Sequence, residues 1–415
     1  MRLTHLLLAS LCASLALPAL AQQKTQPPVA RFWMDAATHH MSMPGMEEME
    51  DNPMLGLMGS AFGQARHGAS PGKWLDSALH TQRKPAGTEA SHSIPAGMNM
   101  RSPLPLLPLL PVVTDQQKPD VEWESEIEKP EGRLIFYWGC GAKARAGQPR
   151  SLDFAKATPQ EFGKFMLGRH APDRGAKAVP GRSIWPNRSN NLRVPGNASL
   201  LGEHAVSGEG VPASLRFSVP GGLDFMDKLR IETQGKPTES ILVRWQGVTT
   251  ATGYFLTAIG SRQGADGVSE TIFWSSSESP DPGWGLMDYL APARVERLVK
   301  EKVVLPRQTT QCALPAGIFA QTEGAMLRMI AYGPELNLAH PPRPADPKIE
   351  WKPEWTALLR LKSTGMALLG EDMEDAPAPP SPAPARANEP ARAPGTTDII
   401  KEIDPVNLFR GLFGR

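Results

Sequence analysis

Apolar and polar positions fall into two regimes along this chain. From about residue 130 to 370, short alternating or aromatic-rich runs recur between turn signals, the period-2 pattern of strands that bury one face. The clearest are residues 133–138, closed by Gly139 and Gly141, and residues 214–219, closed by Pro220, Gly221 and Gly222. Strands are also predicted over 229–233, 240–248, 253–261, 271–275, 311–314, 325–332 and 355–362, several of them separated by Gly-rich or Asp/Ser-rich turns, as in antiparallel sheets. Two helices interrupt them. Thr158-Pro159-Gln160-Glu161 is a capping box with proline at the first helical position, and Phe162, Phe165 and Met166 then share a face, predicting a helix over 159–167. Residues 291–302 carry a stripe of Val295, Leu298 and Val299, with Glu296 and Lys300 four apart and Pro306 beyond the end. The fold class that follows is mainly β: an antiparallel β-sandwich region in one or two lobes, 130–235 and 236–370, ending near Leu369.

The flanks read differently. Residues 22–129 show scattered Pro, Gly, Ser and His without sustained periodicity, which predicts a mostly irregular arm. Within it, the proline-punctuated apolar run 104–113 reads as an extended polyproline-like strap, and a short helix is predicted near 54–64. Residues 371–395 form a Pro/Ala linker. The tail 396–415 resumes order signals, with Asp404 as cap, Pro405 in the first turn, and Leu408, Phe409, Leu412 and Phe413 on one helical face. Phe409, Leu412 and Phe413 are the expected anchors for an envelope protein or polymer.

Residues 239–261 resemble the core of a fibronectin type III or related immunoglobulin-like sandwich. Ile241, Val243 and Trp245 fall on one strand face, and Tyr254 begins the next strand. The resemblance implies a two-sheet sandwich over about 239–332. It implies no function, because this architecture hosts many unrelated roles. The helix at 291–302 departs from the family's pattern.

The first 21 residues narrow the setting. Arg2, an apolar run over 6–17, Pro18, and small residues at Ala19 and Ala21 match a cleavable secretory leader. The run is too short to span a bilayer, and no later stretch is long enough, so no transmembrane span is expected after cleavage. A formal charge of +1 over 415 residues gives no basic field for nucleic acid. Beyond the leader two cysteines remain, Cys140 and Cys312, and export would favour their pairing.

Candidate chemistry is concentrated near the N-terminus. Seven of the sixteen methionines after the leader fall within 34–58. His39, His40, Met41, Met43, Met46 and Met49 offer the imidazole and thioether donors that suit Cu(I), and the stretch resembles the methionine-rich segments of exported copper- and silver-handling proteins. The competing reading is adaptable packing. His67, His80 and His92 have no local ligand spacing and are expected to be solvated. Trp284, Trp351 and Trp355 are candidates for an aromatic binding face, and Glu278 with Asp281 for a carboxylate pair acting on envelope polymers. Two motif matches lack their context. Gly68-Ala69-Ser70-Pro71-Gly72 has no strand before its serine and no helix after it. The glycines of 139–144 are followed by Gly147 and Pro149 rather than a helix that would meet pyrophosphate. The composite expectation is an exported envelope protein with a non-enzymatic binding or scaffolding role; copper binding and hydrolysis are the alternatives.

Overall fold

The computed structural model describes residues 23–43, 59–67, 70–109, 132–170, 172–322 and 324–370, and the structural statements below concern these. The leader, Met46, Met49, the helix expected near 54–64 up to residue 58, the linker and the tail with Phe409, Leu412 and Phe413 lie outside them.

The chain is mainly β. In order, the strands are β1 (Ala30–Ser42), β2 (Gly72–Thr81), β3 (Ala90–Ser93), β4 (Leu104–Pro108), β5 (Arg133–Trp138), β6 (Arg150–Asp153), β7 (Ser183–Trp185), β8 (Gly202–Gly208), β9 (Arg216–Val219), β10 (Ile231–Gln234), β11 (Ile241–Trp245), β12 (Gly253–Gln263), β13 (Ser269–Ser275), β14 (Leu305–Pro306), β15 (Gln311–Leu314), β16 (Ala325–His340) and β17 (Trp355–Leu369). Three helices join them: α1 (Gln64–His67), α2 (Pro159–Phe165) and α3 (Pro292–Lys300). The Thr158 capping box is formed as the sequence predicts, with Thr158 Oγ1 accepting from the Glu161 amide and Glu161 accepting from the Thr158 amide.

A large sheet runs β6-β5-β13-β12-β16-β17-β1-β2-β7-β4-β3-β8-β9, with β14 on β12, and a small sheet runs β10-β11-β15. The small sheet covers one face of the large one: Trp245 meets Tyr254 at 5.5 Å between ring centres, and the Leu229 carbonyl and Ile231 side chain lie over Gly365 of β17. The far end of the large sheet bends back onto the same face. Phe217 of β9 sits 6.2 Å from Phe32 of β1 and 6.5 Å from Trp355 of β17. One continuous apolar core results. On the opposite face, α3 and the connection before it pack Leu286, Leu290, Val295 and Leu298 on Phe255, Ile330 and Tyr332. The arrangement is three layers, with the large sheet buried on both sides through its middle.

Two expectations are corrected here. The arm expected to be irregular over 22–129 supplies four strands, and β1 is central: it runs parallel to β17 from Ala30↔Trp355 to Ser42↔Ala367 and antiparallel to β2. A strand buried on both faces shows no alternation, so Ala30–Ser42 carries no period to detect. The strap over 104–113 is strand β4 where it is described; its ladders with β3 and β7 are only three and two pairs long, which accommodates Pro105 and Pro108. Of the one-lobe and two-lobe alternatives for 130–370, pairing of the large sheet runs across Lys236, with β5 beside β13 and β1 beside β17.

Cys140 and Cys312 form a disulfide across a sequence separation of 172, tying the end of β5 to β15 of the small sheet. On the chain-entropy account, replacing both by serine lowers unfolding stability by up to about 5 kcal/mol, measured by urea titration of oxidised wild type against the double variant.

His92, expected to be solvated, is 0% exposed. Its Nε2 lies 3.0 Å from His204 Nδ1, and His204 Nε2 lies 2.8 Å from the Leu200 carbonyl oxygen. The carbonyl can only accept, so His204 donates from Nε2 and His92 donates to His204 Nδ1. His92 Nδ1 has no partner among the described residues, and the pair is enclosed by Phe32 and Phe217. Burial holds both imidazoles below their ordinary range. The unfolded chain binds protons at these histidines below pH ~6.5 and the folded chain does not, so stability falls as pH drops through that value. Between pH 7.5 and 5.5 a histidine kept neutral, as His92 is, accounts for up to about 1.4 kcal/mol of loss, and His204 adds to it in the same direction. His92→Leu/His204→Leu removes that portion of the pH dependence in urea titrations at the two pH values.

Candidate functional site

The α3-side face of the large sheet holds a buried layer of charge. Register brings it together. Asp35 of β1 lies beside Asp76 of β2 and beside Arg360 of β17, and paired residues share a face. Lys362 and Thr364 follow on β17 at period 2. A bulge between Tyr332 and Glu335 of β16 inserts one residue, so these two side chains, three apart, both join this face.

The centre is Asp35 with Arg360. The guanidinium donates from Nε to Asp35 Oδ1 at 2.7 Å and from Nη2 to Oδ2 at 2.6 Å, and the Ala176 amide donates to Oδ2 at 3.0 Å. Both side chains are almost wholly enclosed. Burial pushes the Asp35 carboxyl above its usual range, with Arg360 pulling against it. Gly175 closes over the pair; a Cβ there would collide with Arg360 Nη2 and Asp35 Oδ2. The Tyr289 ring lies 4.4 Å from the Arg360 guanidinium and 4.5 Å from Lys362 Nζ.

Residues 59–67 are strapped to this layer. Asp76 accepts from the Gly63 amide at 3.0 Å and the Ala65 amide at 3.1 Å; burial pushes its carboxyl up to about 7. His39 Nε2 sits 2.9 Å from the Gln64 carbonyl oxygen and Nδ1 2.6 Å from Thr364 Oγ1, so His39 donates to Gln64 and accepts from Thr364. Burial lowers its pKa to about 3, which keeps it neutral. Lys362 donates to the Arg66 carbonyl oxygen at 2.8 Å and lies 3.6 Å from Asp288; burial brings its ammonium down to about 8. Arg66 in turn binds Asp288 at 2.6 Å and Asp173 at 2.5 Å.

Above the layer lies a cleft in two adjoining parts, of about 310 and 260 Å³, that share His170, Pro172 and Tyr289. The first part is completed by Arg174, Ala291, Arg294 and Arg297. The second is completed by Arg66, His67, Asp173, Trp284, Gly285 and Asp288. Arg174 is paired with Glu335. Arg294 Nε is buried and has no hydrogen-bond partner among the described residues. A buried N–H left in that state costs about 1–3 kcal/mol.

The residues singled out from sequence are not brought together. His39 and His40 are consecutive in β1 and so face opposite sides of the sheet; Met41 is buried, and Met43 follows the strand's end. Among the described residues no group of three or more His, Cys, Asp or Glu is placed to hold a metal ion. Trp284 does line the cleft. Trp355 is buried, stacked on His340 at 5.7 Å, and Trp351 donates to the Pro341 carbonyl with Arg343 over its ring, so neither belongs to the same face as Trp284. Glu278 and Asp281 are held apart in function: Glu278 is near Arg145 and Lys302, while Asp281 binds Arg169 and the Gly283 amide. The residues missed were Asp35, Asp76, Arg360, Lys362, Tyr289 and the arginines of α3. The available signal was an ionisable residue inside an apolar run, such as Arg360 and Lys362 within 355–362.

Neither a protein-family model, nor a curated protein, nor a solved structure matches this chain. Among the described residues no helix is long and apolar enough to cross a membrane.

Asp35→Leu strands a buried guanidinium and lowers stability by about 3–5 kcal/mol, whereas Asp35→Leu/Arg360→Met recovers most of the loss. Urea unfolding of the two variants and wild type checks this; equal destabilisation by both would show that the pair's charge is not the cause.

Proposed function

We propose that the chain is exported and acts in the cell envelope as a non-enzymatic binding or scaffolding protein built on a fibronectin type III-like sandwich. The sandwich reading is supported by β10-β11-β15 facing β13-β12-β16-β17, with the Trp245 strand in one sheet and the Tyr254 strand in the other. Helix α3, between β13 and β15, is an addition to that plan, and β1, β2 and the strands beyond extend one sheet of it. The Cys140–Cys312 bridge and the leader pattern of residues 1–21 support export.

The single observation that carries the binding reading is the cleft over the charged layer. Its acids are engaged before any ligand arrives: Asp173 and Asp288 by Arg66, Asp35 by Arg360. Such pairs give a rigid, preorganised wall that recognises shape and charge. The tail anchors Phe409, Leu412 and Phe413 would add a tethered contact to an envelope protein or polymer.

The chain recovered from its native cells is expected in the envelope fraction, beginning after Ala21, with Cys140 and Cys312 refractory to alkylation until reductant is added. Deleting 395–415 is expected to lower its retention there. A cytosolic chain that starts at Met1 with two alkylatable thiols defeats the reading.

A further inference from the structure

We propose that the first part of the cleft binds a small organic anion, its phosphate or carboxylate group held by Arg294 and Arg297 of α3. The inference rests on the binding reading above but not on export. It starts from an accounting of charge. Arg66 is answered by Asp173 and Asp288, Arg174 by Glu335, Arg360 by Asp35, and Arg169 by Asp281 and Glu301. The acids of α3 and its end are engaged too: Glu296 by Lys300 at 2.7 Å, and Glu301 by Arg169 at 3.0 Å. Among the described arginines of the cleft, two are left over. Arg294 Nε is buried without a hydrogen-bond partner among the described residues. Among the described residues Arg297 pairs with Glu301 alone, at 3.8 Å, an acid already shared with Arg169.

Arg294 and Arg297 are three apart on one helix, so their guanidinium groups address the same space, and both line the same cavity. His170 and Arg174 extend its polar wall. Pro172, Ala291 and the Tyr289 ring supply an apolar wall. Guanidinium groups match carboxylate and phosphate oxygens two at a time. A volume of about 310 Å³ leaves space beyond the oxyanion for a carbon body against Pro172 and Tyr289. The ligand is therefore an anion at one end and apolar or neutral at the other, the size of a phosphomonoester or a short carboxylic acid.

The test is isothermal titration of the purified, oxidised full-length chain with glycerol 3-phosphate, succinate and inorganic phosphate, alongside flotation on phosphatidylglycerol vesicles. Saturable binding of glycerol 3-phosphate or succinate is expected. Binding should be at least tenfold weaker in Arg294→Gln and in Arg297→Gln, and partly retained in Arg294→Lys. Arg297 is largely exposed, so Arg297→Gln decides the matter if Arg294→Gln fails to fold. The proposal is overturned by no saturable binding, by binding that both variants retain, by inorganic phosphate outcompeting both organic anions, or by association with vesicles alone. A negative titration with the chain still in the envelope fraction ends only the anion site. A positive titration with a cytosolic chain ends only the export reading.

Discussion

The bidentate ion pair between Asp35 and Arg360 is the constraint on which the middle of this structure depends. It joins residues 325 positions apart, on two parallel neighbouring strands, in a place almost without solvent. Two charges so placed are tolerable only when each is fully answered. The surroundings are arranged to answer them. The Ala176 amide supplies the carboxylate's third donor, Tyr289 presents its ring to the guanidinium, and Gly175 is the only residue type that fits over both. The loop 172–176 and the connection through Tyr289 are thereby fixed on one sheet face, beside the segment 59–67 that Asp76, His39 and Lys362 hold, and the cleft is the space left between them and α3.

How much of this was legible depends on how each strand is buried. Residues 311–314 alternate and begin and end where the pattern places them; residues 133–138, covered on both faces, are marked instead by an unbroken apolar and aromatic run and its closing glycines; and the Thr158 cap starts α2 as read. Strands buried on both faces that also carry polar residues did not show themselves. In β1, Asp35, Thr38, His39 and His40 are all enclosed, and enclosed polar residues look the same in a sequence as the polar residues of a loop. The pattern of β17 could be followed only to Lys362, although the strand continues to Leu369. The same ambiguity led His39 and His40 to be read as adjacent metal donors, when alternation along a strand separates them. The charged layer was hidden for a further reason: its strand members come from 35, 76 and 360, and only sheet register brings them together.

Buried charge also distinguishes the two faces of the large sheet. On the face covered by the small sheet and by the bent-back end of the large one, the contacts are apolar and aromatic, with His92 and His204 as a neutral polar insertion at that end. On the opposite face the apolar contacts under α3 adjoin an ionic layer carried by β1, β2 and β17. The apolar face can be assembled by non-directional burial, whereas the ionic face requires particular partners at particular distances. A cleft above the second kind of face inherits fixed dipoles and fixed shape, which is what discrimination among small charged ligands needs.

The parallel pairing of β1 with β17 has a consequence for the order of assembly. Strand β1 can find β2 soon after both are synthesised, but its other edge stays open until residues 355–367 exist. For most of synthesis, a long and largely apolar ribbon edge is exposed to any other chain with a free edge. If the polypeptide is passed through a membrane beginning with its N-terminus, that edge reaches the far side first and stays unpaired until the last strand arrives.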